Sequence, residues 1–217
     1  LNSFNRGTTI TMVGAVGVYA RSTSSTNYYL FLPSSADCNN LKVWFNASTA
    51  SIDSTVIKSG EPTNAFADIA AGGVSKTYTL DLDGAKYSVT AMKSGDIGTV
   101  YVDTRSGSIS SVYNSNEHSS SEAGTIMVID ADGKVNYDGA LDKIQGRGNG
   151  TWGATNKRPF NIKLGVSTSL LGMSKAKKWC LLANEVDETL IKDQLTYDFA
   201  DYIGIKYQPH CKPVDLY

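Results

Sequence analysis

The first half of the chain carries a hydrophobic pattern with a period of two. Short segments rich in β-branched and aromatic residues alternate with polar positions, which predicts β-strands. The predicted strands are residues 28–33, 41–46, 75–83, 85–92 and 99–104. Asp83-Gly84, between two of them, predicts a tight hairpin, and residues 47–73 are predicted to be a long loop. An antiparallel, Ig-like β-sandwich fits these strands best.

From residue 124 onward the pattern predicts strands and one long helix. The predicted strands are residues 124–130, 134–139, 160–164 and 177–184, the last as a continuously buried strand with Cys180 in the core. Leu195 and Phe199 recur at helical spacing. Asp187 is the expected N-cap, and Gly204 the residue that ends the helix. The predicted fold class is therefore mainly β, with an α+β second half.

Two polar or irregular stretches divide the chain into three predicted parts. Residues 1–26 are an N-terminal extension whose apolar run is too short and too polar to span a bilayer. Three interpretations of this extension stay open: a signal-peptide remnant, a β-strand or an expression remnant. The Ser-rich residues 105–123 predict a solvated loop or inter-domain connection. The predicted parts are residues 1–26, a β-sandwich module at 27–98 and a second domain at 99–217.

Composition excludes several classes of partner. The chain has 217 residues, 41% of them hydrophobic, and a net charge of −1. No global field attracts nucleic acid or a membrane surface, so neither partner is expected. The three cysteines, Cys38, Cys180 and Cys211, have no metal-ligand spacing. One disulfide is possible, but free or buried thiols are the simpler expectation. No metal ligand is predicted.

The candidate chemistry is concentrated in residues 144–164, IQGRGNGTWGATNKRPFNIKL. Its closely spaced glycines allow a loop to present backbone N–H groups to an anion. Arg147 can contact two oxygens of a phosphate group, and Lys163 on the following strand adds a point charge. A simpler interpretation is an ordinary turn with a strand lysine facing solvent. The glycine spacing matches neither of the two common nucleotide-binding fingerprints.

Several motifs occur in an order that resembles the CotH kinase domain of spore-coat proteins. They are GRGNGTW, KRPFNIKL, SLLGMSKAKKWCLLAN, the D-x-x-LIKDQL-x-YDFA stretch and VDLY. The resemblance covers about residues 125–217. The β-rich part before it resembles accessory domains of secreted bacterial proteins.

The resemblance implies the N-terminal lobe of an atypical protein kinase that uses ATP and Mg²⁺ or Mn²⁺. The implied reaction is phosphorylation of serines on secreted or coat proteins, at a bacterial cell surface or outside the cell. The residues that fall on the family's motifs, or on the helix junction, give the candidate cofactor-binding set: Arg147, Gly148, Asn149, Trp152, Lys157, Lys163 and Glu188. Glu188 or Asp187 is expected to pair with a lysine, as the helix glutamate does in ordinary kinases.

In the resembled family the catalytic and metal-binding aspartates lie downstream of the VDLY motif at 214–217. The chain is therefore expected to be a truncated nucleotide-binding lobe, inactive alone and without bound cofactor. An exposed apolar patch, a dimer contact, or both are expected within residues 177–217. The alternative is a non-catalytic cell-surface module, in which aromatics such as Tyr28, Trp44 and Tyr78 bind a glycan or a protein.

Overall fold

A computed structural model describes residues 9–11, 17–18, 20–22, 24–154 and 156–217. Most of the predicted N-terminal extension, including the possible signal-peptide remnant, lies outside the described residues. The chain forms two compact units. Unit 1 runs to Thr99 and also includes Ala131–Lys134, and unit 2 comprises Val100–Asp130 and Val135–Tyr217. No helix in the described part of the chain is both long and apolar enough to cross a bilayer.

Unit 1 is built from β-strands in two sheets. Its strands are β1 (Thr9–Thr11), β2 (Gly17–Val18), β3 (Arg21–Ser22), β4 (Asn27–Leu32), β5 (Leu41–Trp44), β6 (Ala50–Ile52), β7 (Thr55–Val56), β8 (Pro62–Thr63), β9 (Lys76–Leu82) and β10 (Ala85–Lys93). One sheet has the order β2-β1-β5-β8, and the other has the order β3-β4-β10-β9-β6-β7. The chain is thus mainly β with several sheets, as predicted.

Two details of unit 1 differ from the sequence prediction. Residues 47–73 are not a plain loop, since they contain β6, β7 and β8 and bury Phe66 to 1% exposure. β4 and β10 are parallel, so the larger sheet is mixed rather than antiparallel. The hairpin prediction is confirmed: Leu82 pairs with Ala85, and both Asp83 and Gly84 have positive φ.

The aromatic residues of unit 1 mostly fill its core. Tyr28 and Tyr78 are 4% and 2% exposed, and Trp44 is half-buried. Because side chains alternate along a strand, Tyr29 and Phe31 lie on the opposite face of β4 from Tyr28. Their rings stack with centroids 5.9 Å apart. Burial of Tyr28 and Tyr78 removes most of the support for a row of aromatics that binds glycan.

Unit 2 is one six-stranded sheet with short helices. Its elements are β11 (Gly98–Thr104), which begins at the end of unit 1, α1 (Ser110–Tyr113), β12 (Ser121–Ile129), β13 (Val135–Gly146), α2 (Gly150–Ala154), β14 (Phe160–Thr168), β15 (Ala176–Leu181), α3 (Lys192–Tyr202) and β16 (Val214–Leu216). The strand order is β15-β14-β13-β12-β11-β16. The last strand returns to β11, because the Val102 amide donates to the Tyr217 carbonyl at 2.8 Å.

The core of unit 2 lies on one face of this sheet. Phe160, Ile162 and Leu164 are buried while Asn161 and Lys163 are not, which is the alternation of a strand packed on one side. β12 and β13 contribute Ile126, Val128, Leu141 and Ile144 to the same core. Each such side chain contributes roughly 1.5–3 kcal/mol by leaving water. This face therefore fixes the register of the strands that flank the candidate loop.

Residues 177–184 are not the continuously buried strand that the sequence predicted. β15 alternates instead, with Trp179 and Leu181 packed towards the core and Cys180 exposed. The reason is that the core covers only one face of this antiparallel sheet, so alternate side chains of β15 face away from it. All three cysteines are free thiols, and burial raises the pKa of Cys38 above its ordinary value.

The helix predicted after Asp187 begins later, at Lys192. The Asp187 carboxylate accepts hydrogen bonds from the backbone N–H groups of Thr189 at 3.0 Å and Lys192 at 2.8 Å. Leu190 between them has a φ of +61°, which interrupts a helix. Asp187 therefore satisfies the first amide of α3 from outside the helix, rather than as its N-cap residue.

The predicted end of the helix is confirmed at Gly204. This residue has a φ of +76°, and its amide donates to the Asp201 carbonyl at 3.0 Å. The Ile205 amide donates to the Ala200 carbonyl at 2.9 Å. These two bonds form a Schellman motif, which favours glycine at the left-handed position.

Residues 182–216 expose many apolar side chains. None of the residues of α3 is buried. The exposed set includes Leu182, Val186, Leu190, Ile191, Leu195, Phe199, Tyr202, Ile203, Ile205, Tyr207 and Leu216. The expected exposure of apolar side chains within residues 177–217 is thus observed, and a contiguous patch stays a prediction. The dimer contact expected there stays a prediction.

The carboxylate of Asp187 makes the start of α3 sensitive to acid. Burial opposes its ionisation, but the hydrogen bonds from Thr189 and Lys192 and the charge of Lys192 together outweigh burial and lower the pKa to about 2. Its stabilising effect is therefore complete above the ordinary value of 3.8 and is lost as pH falls through about 2. We expect the amide NMR signals of Thr189 and Lys192 to move towards disordered positions across that range. In Asp187→Asn they should stay unchanged across the same pH range, and an equal acid shift in that variant would contradict the assignment.

Candidate functional site

The glycine-rich stretch forms a closed connection between two neighbouring antiparallel strands. β13 ends at Gly146, which faces Phe160 at the start of β14. The Arg147 amide then donates to the Pro159 carbonyl at 3.2 Å. Gly148 has a φ of +74°, a conformation that side chains rarely adopt, so glycine is required there. The connection is thus anchored at both ends by the sheet.

Trp152 is the internal anchor of this connection. It is 3% exposed, and its ring lies edge to face against His118 and Phe160, with centroid distances of 4.5 and 6.0 Å. A β-carbon at position 146 would lie 2.7 Å from Cζ3 of Trp152, so only glycine fits there. The structure therefore places Trp152, one of the predicted cofactor-binding residues, in the core behind the turn.

Arg158 holds the other side of the connection. Its guanidinium lies 4.6 Å from the centre of the Tyr113 ring and 4.7 Å from the centre of the Trp152 ring. Its Nε and Nη1 atoms are buried without a hydrogen-bond partner among the described residues. Attraction to the two ring faces offsets part of that cost. Arg158 is therefore committed to packing and is not free to contact a ligand.

The sequence did not predict that Tyr113 and His118 pack against this connection, because they lie in the Ser-rich segment predicted to be a solvated connection. That prediction is wrong for part of the segment, since Val112 of α1 is fully buried. The Tyr113 hydroxyl donates to the Asn156 carbonyl, and Gln145 donates to the His118 carbonyl. The aromatic residues within an otherwise polar stretch were the available signal.

Arg147 and Asn149 are the parts of the turn left available for a ligand. Arg147 is half-buried, and Gly148 and Asn149 are exposed. Within the described ranges, neither the Arg147 side chain nor the Asn149 side chain has a hydrogen-bond or ion-pair partner. Lys157 is also exposed in the same connection. The structure therefore brings four predicted residues, Arg147, Gly148, Asn149 and Lys157, into one loop.

Lys163 lies on β14, two residues beyond Asn161, and is 43% exposed. Its ammonium group lies 3.5 Å from Oδ2 of Asp142. The ammonium group of Lys177 on β15 lies 3.3 Å from the same oxygen. The carboxylate partner of the strand lysine is therefore Asp142 from β13, which sequence reasoning did not predict.

The expected pairing of Lys163 with a carboxylate near α3 is absent from the described part of the chain. Asp187 instead pairs with Lys192 at 3.5 Å. Glu188 is exposed and makes no ion pair with any described residue. A surface ion pair contributes only about 0–1 kcal/mol, so the Asp142 pairing is readily exchanged. The described residues also contain no group of three or more His, Cys, Asp or Glu residues arranged to hold a metal ion.

A glycine-rich turn followed by a strand that carries a lysine is characteristic of kinase-like proteins. Residues 144–217 match the family model described as CotH kinase protein. The resemblance to that family is confirmed over this segment, which is narrower than the span of about 125–217 inferred from the motifs. No curated protein matches the chain, and no solved structure matches it.

Proposed function

We propose that unit 2 is the nucleotide-binding lobe of a CotH-like protein kinase, with the turn at residues 146–150 holding the phosphate groups of ATP. The observation that carries this proposal is the anchored turn with an unpartnered Arg147, set directly before the strand of Lys163 in a segment that matches the family. Guanidinium and backbone N–H groups are the donors that bind phosphate oxygens.

The residues present fit the phosphate groups of a nucleotide better than they fit a metal. Arg147, the backbone at Gly148 and the amide of Asn149 supply donors without described competitors. Carboxylates for Mg²⁺ or Mn²⁺ are not gathered among the described residues, so the proposal assigns no metal ligand within this chain. Serine phosphorylation is the reaction that the CotH resemblance implies, and it belongs to the same proposal.

The wider biological setting belongs to the same proposal. The family match supports a CotH-like kinase segment at residues 144–217 of unit 2. A kinase-like N-terminal lobe and a coat or secreted protein as substrate are parts of the proposal. A bacterial cell-surface or extracellular location and an accessory β-sandwich before the lobe are consistent with the β-rich unit 1. Glu188 keeps a role only if α3 approaches Lys163 when nucleotide or the rest of the kinase is bound.

The proposal predicts that Arg147→Gln weakens ATP binding about tenfold, the loss expected for a charged hydrogen bond of roughly 1.4 kcal/mol. The proposal replaces the expectation that this chain alone binds no cofactor, because the Arg147 side chain has no competing partner among the described residues. Isothermal titration calorimetry with ATP and Mg²⁺ measures the affinity. Arg105→Gln is the matched control, because Arg105 is an exposed arginine of the same unit. The proposal fails if the wild-type protein does not bind ATP, or if both variants bind it as the wild type does.

The second candidate, a non-catalytic surface module that binds glycan, has less support. The stacked pair Tyr29 and Phe31 is what remains of the proposed aromatic face, and Tyr29 is 37% exposed. Packing between aromatic rings on one face stabilises a sheet without any ligand. The nucleotide-binding lobe is therefore the function that the residues favour.

A further inference from the structure

Lysines face one another across three neighbouring strands of unit 2. In the sheet register, Lys163 on β14 pairs with Lys143 on β13 and with Lys178 on β15. Like charges directly opposite each other destabilise a sheet. The net charge of the whole chain is only −1, so this concentration of positive charge is local. Lys163, at the centre of this row, is therefore stabilised by a negatively charged partner.

One carboxylate within the row partly balances it. Asp142 lies where the β13–β14 register slips by one residue, between the pairs Leu141–Leu164 and Lys143–Lys163. A β-bulge of this kind re-aims a side chain and is common beside functional sites. Oδ2 of Asp142 lies 3.5 Å from the Lys163 ammonium and 3.3 Å from that of Lys177. The bulge thus gathers two ammonium groups around a single oxygen atom.

We infer that Lys177 contacts phosphate in addition to Arg147 and Lys163. Lys163 and Lys177, brought together by Asp142, form a two-ammonium site for phosphate groups. This inference rests on the proposed function, because it extends the phosphate contacts from the turn to β14 and β15. Lys177 is the first of the two lysines in the AKKW part of the SLLGMSKAKKWCLLAN motif, and the sequence predicted no role for it.

Phosphate can bind this site by replacing Asp142 as the partner of Lys163 and Lys177. The side chains of Lys163, Asp142 and Lys177 are 43%, 36% and 41% exposed, so a solute can reach all of them. Solvent screens ion pairs with this exposure. A phosphate chain with several negative charges can therefore replace Asp142 as the partner of both ammonium groups. The lysines act as mobile point charges, which suits a flexible phosphate chain.

The test compares Lys177→Met with Lys178→Met, using ATP and adenosine as probes. Lys178 is the control because it is exposed on the same strand and has no ion pair with any described residue. We expect Lys177→Met to weaken ATP binding about tenfold, leave adenosine binding unchanged and keep the wild-type unfolding midpoint. Lys178→Met should change ATP affinity by less than about twofold, since screened surface charges contribute little.

The outcomes separate this inference from the proposed function. If Lys163→Met and Arg147→Gln weaken ATP binding while Lys177→Met does not, the two-ammonium site is wrong and the nucleotide-binding lobe stands. If neither Lys163→Met nor Arg147→Gln weakens it, both are wrong. An equal loss of ATP and adenosine binding in Lys177→Met, with a lowered unfolding midpoint, would show a structural role and overturn the inference.

Discussion

Gly124→Ala is expected to destabilise unit 2 by about 3 kcal/mol, at the upper end of the usual cost of overpacking. A β-carbon at position 124 would lie 2.9 Å from the carbonyl carbon of Asp103 and from Cα of Thr104, and closer still to the Asp103 carbonyl oxygen. The obstruction is backbone of the neighbouring strand, so no rotamer change relieves it. Gly124 also borders a register irregularity in the β12–β13 pairing, which leaves little freedom to shift.

Urea unfolding, followed by the fluorescence of Trp152 and Trp179 in a Trp44→Phe background, measures this loss for unit 2. Gly153→Ala is the control, because no described atom outside its chain neighbours and its own helix backbone lies within 4 Å of a β-carbon there. Alanine there should leave stability unchanged or raise it by up to about 1 kcal/mol. Equal unfolding midpoints for Gly124→Ala and Gly153→Ala would contradict the close approach of β11 and β12.

Gly146→Ala is expected to cost about 2 kcal/mol and to weaken ATP binding as well. The added methyl group would press on the six-membered ring of Trp152, 2.7 Å from Cζ3. Overpacking of this kind forces side chains or backbone to move. Because Arg147 and Gly148 follow directly, a shift of Trp152 or of the strand end displaces the proposed phosphate contacts.

A double-mutant cycle tests whether contact with Trp152 causes the loss of stability in Gly146→Ala. Trp152→Leu removes the ring atoms that the new methyl group would meet, so the double variant should be at least about 1 kcal/mol more stable than additivity predicts. Urea unfolding gives the four free energies, and calorimetry with ATP gives the four affinities. Strictly additive effects would mean that Gly146 and Trp152 are not in contact.

Features set by neighbouring residues were predictable from the sequence. The Asp83-Gly84 hairpin and the Gly204 helix end are local, because each depends on a backbone conformation that glycine or aspartate favours. The strand at Phe160–Leu164 was predictable because its side-chain alternation records which face is covered. The position of the glycine-rich turn was also predictable, because its residues are contiguous in the sequence.

Features set by distant residues were not predictable. The stacking of Arg158 between Tyr113 and Trp152 joins segments that only the folded sheet brings together. The ion pairs of Asp142 depend on a β-bulge that the sequence of β13 does not predict. Burial at β15 depends on which face of the sheet the core covers, so a run of apolar residues could not reveal that Cys180 is exposed.

The uncovered helix α3 has a consequence for how unit 2 opens in solution. Eleven residues without a buried side chain are near the length at which an isolated helix is marginal in water. Its order depends on Asp187 at one end and Gly204 at the other, rather than on tertiary packing. Local opening of α3 should therefore need little free energy, whereas the sheet opens only with global unfolding. Amide hydrogens of α3 should exchange with solvent quickly, and a molecule that covers Leu195 and Phe199 would slow that exchange more than anywhere else in unit 2.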